Sequence, residues 1–377
     1  MTLSNEIHSY IEAHYQEAFD LLVELAQIPA PSHYEQKRAE FCLNWLIKQG
    51  LENVYIDEAR NVICPIGCAE HDPVAVFMAH SDVVFPDTTP LPLHISDGKI
   101  FCPGIGDDTA NVVALLMTAK YIAEHKLVPK NGGILLVVNS CEEGLGNLKG
   151  SRKIVSDFGT RITEFVSFDS GVFTVINEAV GSFRYKVEID TEGGHSFAAF
   201  GNRNAIACLA SLIGDLYSIQ VPSMGKTTYN VGTIQGGTSV NTIAQHAEML
   251  YEFRSDKRES LAMMEECFRN VVTAHREKGL KITVTPVGNR PCSGDVDVEK
   301  EFVLSRRAAD AVFHNFGVNA GFGSGSTDCN IPLSMGIPAI CVGCAHGGGA
   351  HTREEFVYID SLKPGLGLAF EMILHHF

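Results

Sequence analysis

The sequence predicts an α/β protein, built as a mostly parallel sheet with helices between its strands and interrupted by an α+β insert of ferredoxin-like, βαββαβ order. Three features predict it. Short apolar runs alternate with longer helical patterns from residue 73 onward, the rhythm of parallel strands joined by crossover helices. Between about 182 and 286 that rhythm gives way to strand, helix, strand, strand, helix, strand, after which the first rhythm resumes. Histidines and carboxylates stand directly after apolar runs, where open α/β sheets gather the loops that bind ligands.

Residues 5–28 place Ile7, Ile11, Tyr15, Ala18, Leu22 and Leu25 at helical spacing, and the pattern halts at Pro29-Ala30-Pro31-Ser32, so an amphipathic helix is expected there. A second helix is expected over 35–49, with Phe41, Trp45 and Leu46 on one face, followed by strand-like pieces at 54–57 and 61–65. The alternating region then predicts strands at 74–79, 134–139 and 165–168 and a helix at 111–126. Within the insert, strands are expected at 183–189, 228–234, 247–254 and 280–285, with helices at 204–219 and 260–277. A helix at 299–316, a strand at 339–343 and a helix near 362–376 close the chain. The corresponding domains are 1–180 with 288–377, and the insert at 181–287.

With 377 residues and 45% hydrophobic content the chain can bury a large core spread over two domains. Asp+Glu of 45 against Lys+Arg of 29, a net charge of -16, argues against a nucleic-acid surface. The insert also lacks the basic, aromatic strand pattern of an RNA-binding module. No uninterrupted apolar run approaches ~18 residues, and Met1-Thr2-Leu3-Ser4-Asn5-Glu6 has neither the basic nor the apolar region of a signal peptide. No membrane association is expected, and a cytoplasmic location is the default. The 11 cysteines stand singly in apolar stretches, which suits buried thiols in a reducing compartment. Cys64-x3-Cys68 and Cys341-x2-Cys344 sit in strand-like segments rather than on the turns that zinc knuckles use, so no structural zinc is expected from them.

Five islands carry the chemistry: His80-Ser81-Asp82, Gly106-Asp107-Asp108, Cys141-Glu142-Glu143, Phe168-Asp169 and Ala350-His351. Among their side chains are the two imidazoles and three carboxylates that a two-metal hydrolase needs as ligands, and at least two further carboxylates for proton work. His80 and Asp82 leave a strand end on the same side, so the carboxylate can take the second N–H of a metal-bound imidazole; a solvated strand-end histidine is the alternative. Asp108 or Thr109 can cap the following helix, while Asp107, on a glycine-flanked turn, can bridge two cations ~3.5–4 Å apart. Of the adjacent Glu142 and Glu143, one can bind metal while the other faces a water as base; their place between an apolar strand and Gly144-Leu145-Gly146-Asn147 sets them apart from a solvated loop pair. Asp169 offers a hard oxygen ligand or starts a turn before Ser170-Gly171. His351 and His346 compete for the remaining imidazole role.

As a set, His80-Ser81-Asp82, Gly106-Asp107-Asp108, Glu142-Glu143-Gly144, Asp169 and His351-Thr352-Arg353-Glu354-Glu355 resemble the M20 metallopeptidases. That group contains tripeptide aminopeptidases, glutamate-releasing carboxypeptidases, succinyl-diaminopimelate desuccinylases and aminoacylases. The resemblance spans nearly the whole chain, with the insert as its lid or dimerisation domain, and overall length and lid composition look most like peptidase T-like members. It implies two divalent ions, zinc foremost with cobalt or manganese as substitutes. One would be held by His80 and Asp169, the other by Glu143 and His351, with Asp107 bridging both. It also implies that Asp82 orients His80, that Glu142 is the catalytic base, and that His351 is preferred to His346 because Glu355 follows it.

In the insert, Gly193-Gly194-His195-Ser196-Phe197 with Gly201-Asn202-Arg203-Asn204-Ala205-Ile206 is similar to the family's lid signature. The resemblance implies that His195 stabilises the oxyanion, often across a dimer; an exposed loop histidine is the alternative. Gly232-Thr233-Ile234-Gln235-Gly236-Gly237 with Asn241, then Phe253-Arg254, is similar to the segment in which an asparagine and an arginine contact substrate; an Arg254 clamp suits the carboxylate of a peptide terminus, and a surface ion pair is the alternative. One departure stands out. Many members read Asp-Asp-Lys-Gly or Asp-Met-Lys-Gly where this chain reads Asp107-Asp108-Thr109-Ala110. The activity implied is amide hydrolysis in small peptides at the amino end; the alternative is an amidohydrolase that removes an acyl, succinyl or carbamoyl group from an amino acid. A non-catalytic, metal-stabilised binding protein would lack the base or a ligand, and here every position is filled. Expected partners are a small peptide or N-acyl amino acid and a second copy of the chain through the insert.

Overall fold

Strands covered on both faces need no polar alternation, and Val74–His80 and Gly133–Asn139 are buried at every position. They lie at the heart of an eight-stranded sheet in the computed structural model, which describes residues 2–377. Its strand order is Tyr55–Ile56, Val62–Ile66, Gly133–Asn139, Val74–His80, Ile162–Ser167, Ala339–Cys341, Thr174–Ala179, Gly321–Gly325. The pairings from Gly133–Asn139 through Ala339–Cys341 are all parallel, so the sheet is parallel where it is central.

Successive side chains of a strand point to opposite faces, and Phe77 and Met78 accordingly enter different cores. On the Phe77 side pack the helices Asn5–Ala26, Ala110–Glu124, Val298–Phe316 and Ile359–Leu374; on the Met78 side lie Lys149–Phe158 and Asn330–Ser334. Ala110–Glu124 is apolar nearly all round and is buried from Ala110 through Ile122, as a helix enclosed between sheet and neighbours must be. Cys64 belongs to the first core and Cys341 to the second, so the sheet separates them, and all the cysteines are free.

The chain divides into two units: the residues up to Ala179 with Gly294–Phe377, and Val180–Ser293. The second unit carries strands Gly181–Asp190, Thr227–Gly236, His246–Ser255 and Lys281–Arg290 and helices Ala205–Tyr217 and Arg258–Glu277. Its sheet is antiparallel throughout, in the order Thr227–Gly236, His246–Ser255, Gly181–Asp190, Lys281–Arg290. Tyr185, Val187, Ile189, Met249, Tyr251 and Phe253 face the helices and form a separate core with Leu209, Leu212 and Phe268.

Several elements differ from expectation. Lys281–Arg290 runs five residues past the apolar pattern, because the register shifts between Pro286, which has no amide to donate, and Gly288, and the ladder then continues. Thr174–Ala179 and Gly321–Gly325 were not expected as strands; the former is half polar and the latter glycine-rich, so neither has the apolar signal. A small four-stranded sheet of Gly347–Gly348, Phe356–Tyr358, Lys99–Phe101 and His94–Ser96 was also missed, since strands of two or three residues are too short for periodicity.

Candidate metal centre

Strand register sets the site. Val74–His80 pairs in parallel with Gly133–Asn139, His80 opposite Asn139, and with Ile162–Ser167, Met78 opposite Ser167. The segments that leave these three strands at one edge carry Asp82, then Glu142 and Glu143, then Asp169. His80 Nε2 lies 2.9 Å from Asp107 Oδ1, and His351 Nε2 lies 3.1 Å from Asp107 Oδ2, so one carboxylate offers an oxygen to each imidazole. His351 Nε2 is also 3.1 Å from Glu143 Oε1. Donor atoms of His80, Asp107 and Glu143 fall within 4.8 Å of one another, as do those of His80, Asp108 and Asp169. The rival His346 instead stacks on Tyr358, 5.0 Å between ring centroids, and rests against Phe173.

Three contacts differ from the sequence reading. His80 Nδ1 is closer to the backbone carbonyl of Asp82, 3.0 Å, than to its carboxylate, 3.5 Å. The Asp82 carboxylate chiefly holds the next strand's loop: it accepts the backbone N–H groups of Glu142 and Glu143, both at 2.9 Å, and the hydroxyl of Ser32 at 2.6 Å. Asp108 and Thr109 are not side-chain caps. Asp108 accepts the His80 backbone N–H at 2.7 Å and the Asn111 side-chain amide, while Thr109 Oγ1 donates to the Gly104 carbonyl at 2.5 Å and takes a hydrogen bond from Arg38 at 3.3 Å.

Glu355 had been read only as a neighbour that favoured His351. It is the clasp of the Asp107 turn, accepting backbone N–H groups from Gly104 at 2.7 Å and from Gly106 and Asp107 at 2.9 Å. It directly precedes Phe356–Tyr358, which pairs with Lys99–Phe101, so the small sheet ties the His351 segment to the Asp107 turn. The Asp107–Asp108 peptide within that turn is cis. Glu355→Ala strips three amides of their acceptor and is expected to weaken metal affinity ~10–100-fold, the usual cost of losing a ligand's supporting partner. Competition against a chelator of known affinity measures this; an unchanged affinity would show that the turn holds its shape unaided. Asp328 was missed as well, lying in an unremarkable Ser326-Thr327-Asp328 run. It is fully buried, accepts from Asn139 Nδ2 at 2.6 Å, and is pushed up to about 8 by burial and by the charge of Glu142.

The electrostatics test whether cations belong here. Burial raises Asp108, Asp169 and Glu143 above the usual carboxylate range, and neighbouring acids add to the effect. Burial would also raise Asp107, but hydrogen bonds with His351 and His80 outweigh it and hold the carboxylate low. His351 is correspondingly lifted to about 10 by Asp107 and Glu143. Glu143 Oε1 is buried without an aligned hydrogen bond despite its nearness to His351. Four acids crowded out of water around two imidazoles carry surplus negative charge, and hard-oxygen and imidazole donors of this kind suit divalent ions. The donor set therefore fits a metal pair. A cavity of about 310 Å³ lined by Asp107, Asp169, Ser170, Gly347, Gly348 and His351 opens onto it.

The remaining expected residues lie in the second unit. His195 sits on the short ribbon Gly194–His195, paired with Thr242–Ile243; its Nδ1 accepts the N–H groups of Phe197 at 3.3 Å and Ala198 at 3.4 Å, and the residue is exposed. Asn241 is its close neighbour, since the Ser196 N–H donates to the Asn241 carbonyl at 3.0 Å. Arg254 makes a two-point contact with Glu252 at 2.9 and 3.1 Å, the ion pair that its sequence context left open.

Comparison with known proteins gives a consistent picture. The model of peptidase family M20/M25/M40 matches residues 76–375. A tripeptidase from Staphylococcus aureus is 24% identical and superposes with a TM-score of 0.75, over 95% of this chain and 97% of its own. The YXEP protein of Bacillus subtilis, described as a dinuclear metal binding peptidase, is 17% identical with a TM-score of 0.65, over 97% of this chain and 100% of its own. An N-acetyldiaminopimelate deacetylase from Bacillus velezensis is 23% identical over 306 residues, which cover 76% of this chain and 80% of the relative.

Proposed function

Given that the chain belongs to the M20/M25/M40 peptidase family and is a hydrolase of that type, we propose that it cleaves an amide bond in small peptides, releasing the amino-terminal residue with the help of two divalent ions, zinc foremost. The observation that carries this reading is the placing of His80 and His351 on opposite oxygens of Asp107, with Glu142 beside Glu143 at the same edge. His80 and Asp169 would hold one ion and His351 and Glu143 the other, with Asp107 shared. Such a pair, when bound, polarises an amide carbonyl and lowers the pKa of water toward ~7.

Glu142 takes the proton of the attacking water and passes it to the leaving nitrogen. Asp82 steadies it by accepting its backbone N–H at 2.9 Å. His195 meets the negative charge of the tetrahedral oxygen, a contribution of ~3 kcal/mol for one donor. Arg254 exchanges Glu252 for a substrate carboxylate, with Asn241 as a further polar contact. The fold shared with a tripeptidase supports the peptide reading. Similarity to a deacetylase favours a second one, removal of an acyl group from an amino acid.

The protein is further proposed to be a cytoplasmic homodimer joined through the insert. Its free thiols suit a reducing compartment, and no helix among the described residues is long and apolar enough to cross a membrane. Thr227–Gly236 is an edge strand with most residues exposed, a ready template for pairing with its twin. Light scattering of the purified protein is expected to give twice the chain mass.

Stripping the protein of metal and reloading it with zinc, cobalt or manganese, then offering tripeptide and N-acyl amino-acid panels, tests the function. Metal-dependent release of amino-terminal residues is expected. Deacylation alone would favour the second reading, and no hydrolysis with any metal would refute both.

A further inference from the structure

We infer that a second cavity, on the Glu143 side of the metal centre, is a subsite for an apolar side chain flanking the scissile amide. The inference rests on the amide-hydrolysis reading above and deepens it to a substrate class. The cavity measures about 440 Å³, and its wall includes Pro31, Tyr34, Val84, Phe85, Pro86 and Leu145. It joins the reaction centre at two points. Glu143 is part of the wall, and its Oε1 is 3.1 Å from His351 Nε2. Ser32, also part of the wall, donates to Asp82, whose carboxylate positions the backbone of Glu142 and Glu143. A substrate bound at the metal centre therefore has this cavity as the next space along the Glu143 side.

The lining specifies what enters. Tyr34 is 71% exposed, Leu145 51% and Val84 38%, large apolar side chains gathered around one concavity, the usual mark of a place that a ligand covers. Phe85 is held from behind: the Arg353 guanidinium lies 4.3 Å from its ring centroid and is anchored on Asp87 at 2.7 Å. That pairing neutralises one cation beside the wall, and Arg60, which donates to the His33 carbonyl at 2.6 Å, is paired with Glu35 at 3.4 Å, so an acidic side chain would compete with Asp87 and Glu35 for these cations and would face Glu143. His33, also on the wall, is engaged through Nδ1 with Cys141 Sγ at 3.4 Å. The cavity on the Asp169 side is less apolar in make-up: Gly106, Gly171, Gly347 and Gly348 form much of its wall, Phe356 is its one large apolar side chain, and Asp107, Asp169 and Glu355 add carboxylates. The two sides of the centre thus read different chemistry, and the apolar side selects leucine-, methionine- or phenylalanine-like groups.

The test uses the full-length, zinc-loaded protein and two peptide series, Xaa-Gly-Gly and Gly-Xaa-Gly, with Xaa as Leu, Phe, Asp, Lys or Gly. At one of the two positions Leu is expected to exceed Asp in kcat/KM by about tenfold or more, the scale of discrimination by an apolar pocket. In Leu145→Lys that ratio is expected to fall by about fivefold or more, with Asp gaining relative to Leu, an inversion that a general loss of structure would not produce. Tyr34→Ala, at a more exposed position, serves if Leu145→Lys does not fold, and is expected to lower the Phe-to-Gly ratio. Cleavage without apolar preference at either position, or preference untouched by these variants, overturns the subsite. Absence of cleavage of every peptide counts instead against the hydrolysis reading on which it rests.

Discussion

Glu142→Gln is expected to keep the metal content of the native protein while kcat falls by about 10²–10⁴-fold, the usual worth of a positioned general base. The separation of these two readouts follows from the local structure. The loop that carries Glu142 is fastened through its backbone amides to Asp82, and the neighbouring Glu143 is the residue that lies against His351. Glutamine keeps the side-chain shape and removes only the ability to accept a proton. Elemental analysis of the purified variant, set beside its turnover of the best peptide, checks the prediction. Native turnover would assign the base elsewhere, and loss of metal would make Glu142 a ligand.

Asp107→Ala is expected to act oppositely, on metal first. This carboxylate is within 3.1 Å of both imidazoles, and each of its oxygens serves a different one. Its removal takes an anionic ligand from both proposed ion positions at once, while Glu355 still clasps the turn through Gly104 and Gly106. Metal content is expected to fall below one ion per chain, and kcat/KM to drop at least as far as when one transition-state donor is lost, about 10²–10³-fold. Calorimetric titration with zinc measures both stoichiometry and affinity. Retention of two tightly bound ions would exclude a bridging role.

What the sequence made legible follows from the range over which each feature is encoded. Val74–His80 and Gly133–Asn139 announce themselves because burial on both faces demands unbroken apolar runs, and the side chains after such runs inherit a location from the topology. His80, Glu143 and Asp169 were placed at one edge in this way. Asp107 and His351 lie in turns without periodicity and were found through their motifs. Glu355 could not have been assigned its contacts, because a carboxylate that gathers three backbone amides across some 250 residues of chain leaves no local pattern. Asp108 was misread for a related reason. An acid just before a helix usually caps it, whereas here the strand-end amide of His80, distant in sequence, competes for the same oxygens and wins.

The threonine at position 109 also limits what its own site can accept. Thr109 is wholly buried and touches Arg38, itself almost wholly buried, whose guanidinium also reaches the carbonyls of Ile28 and Ser81. A lysine introduced beside that arginine would force a second positive charge into space already taken by the first, with no water to screen either. Thr109→Lys is therefore expected to lower the thermal midpoint of the protein on its own, and to do so less when Arg38 is replaced by an uncharged residue at the same time.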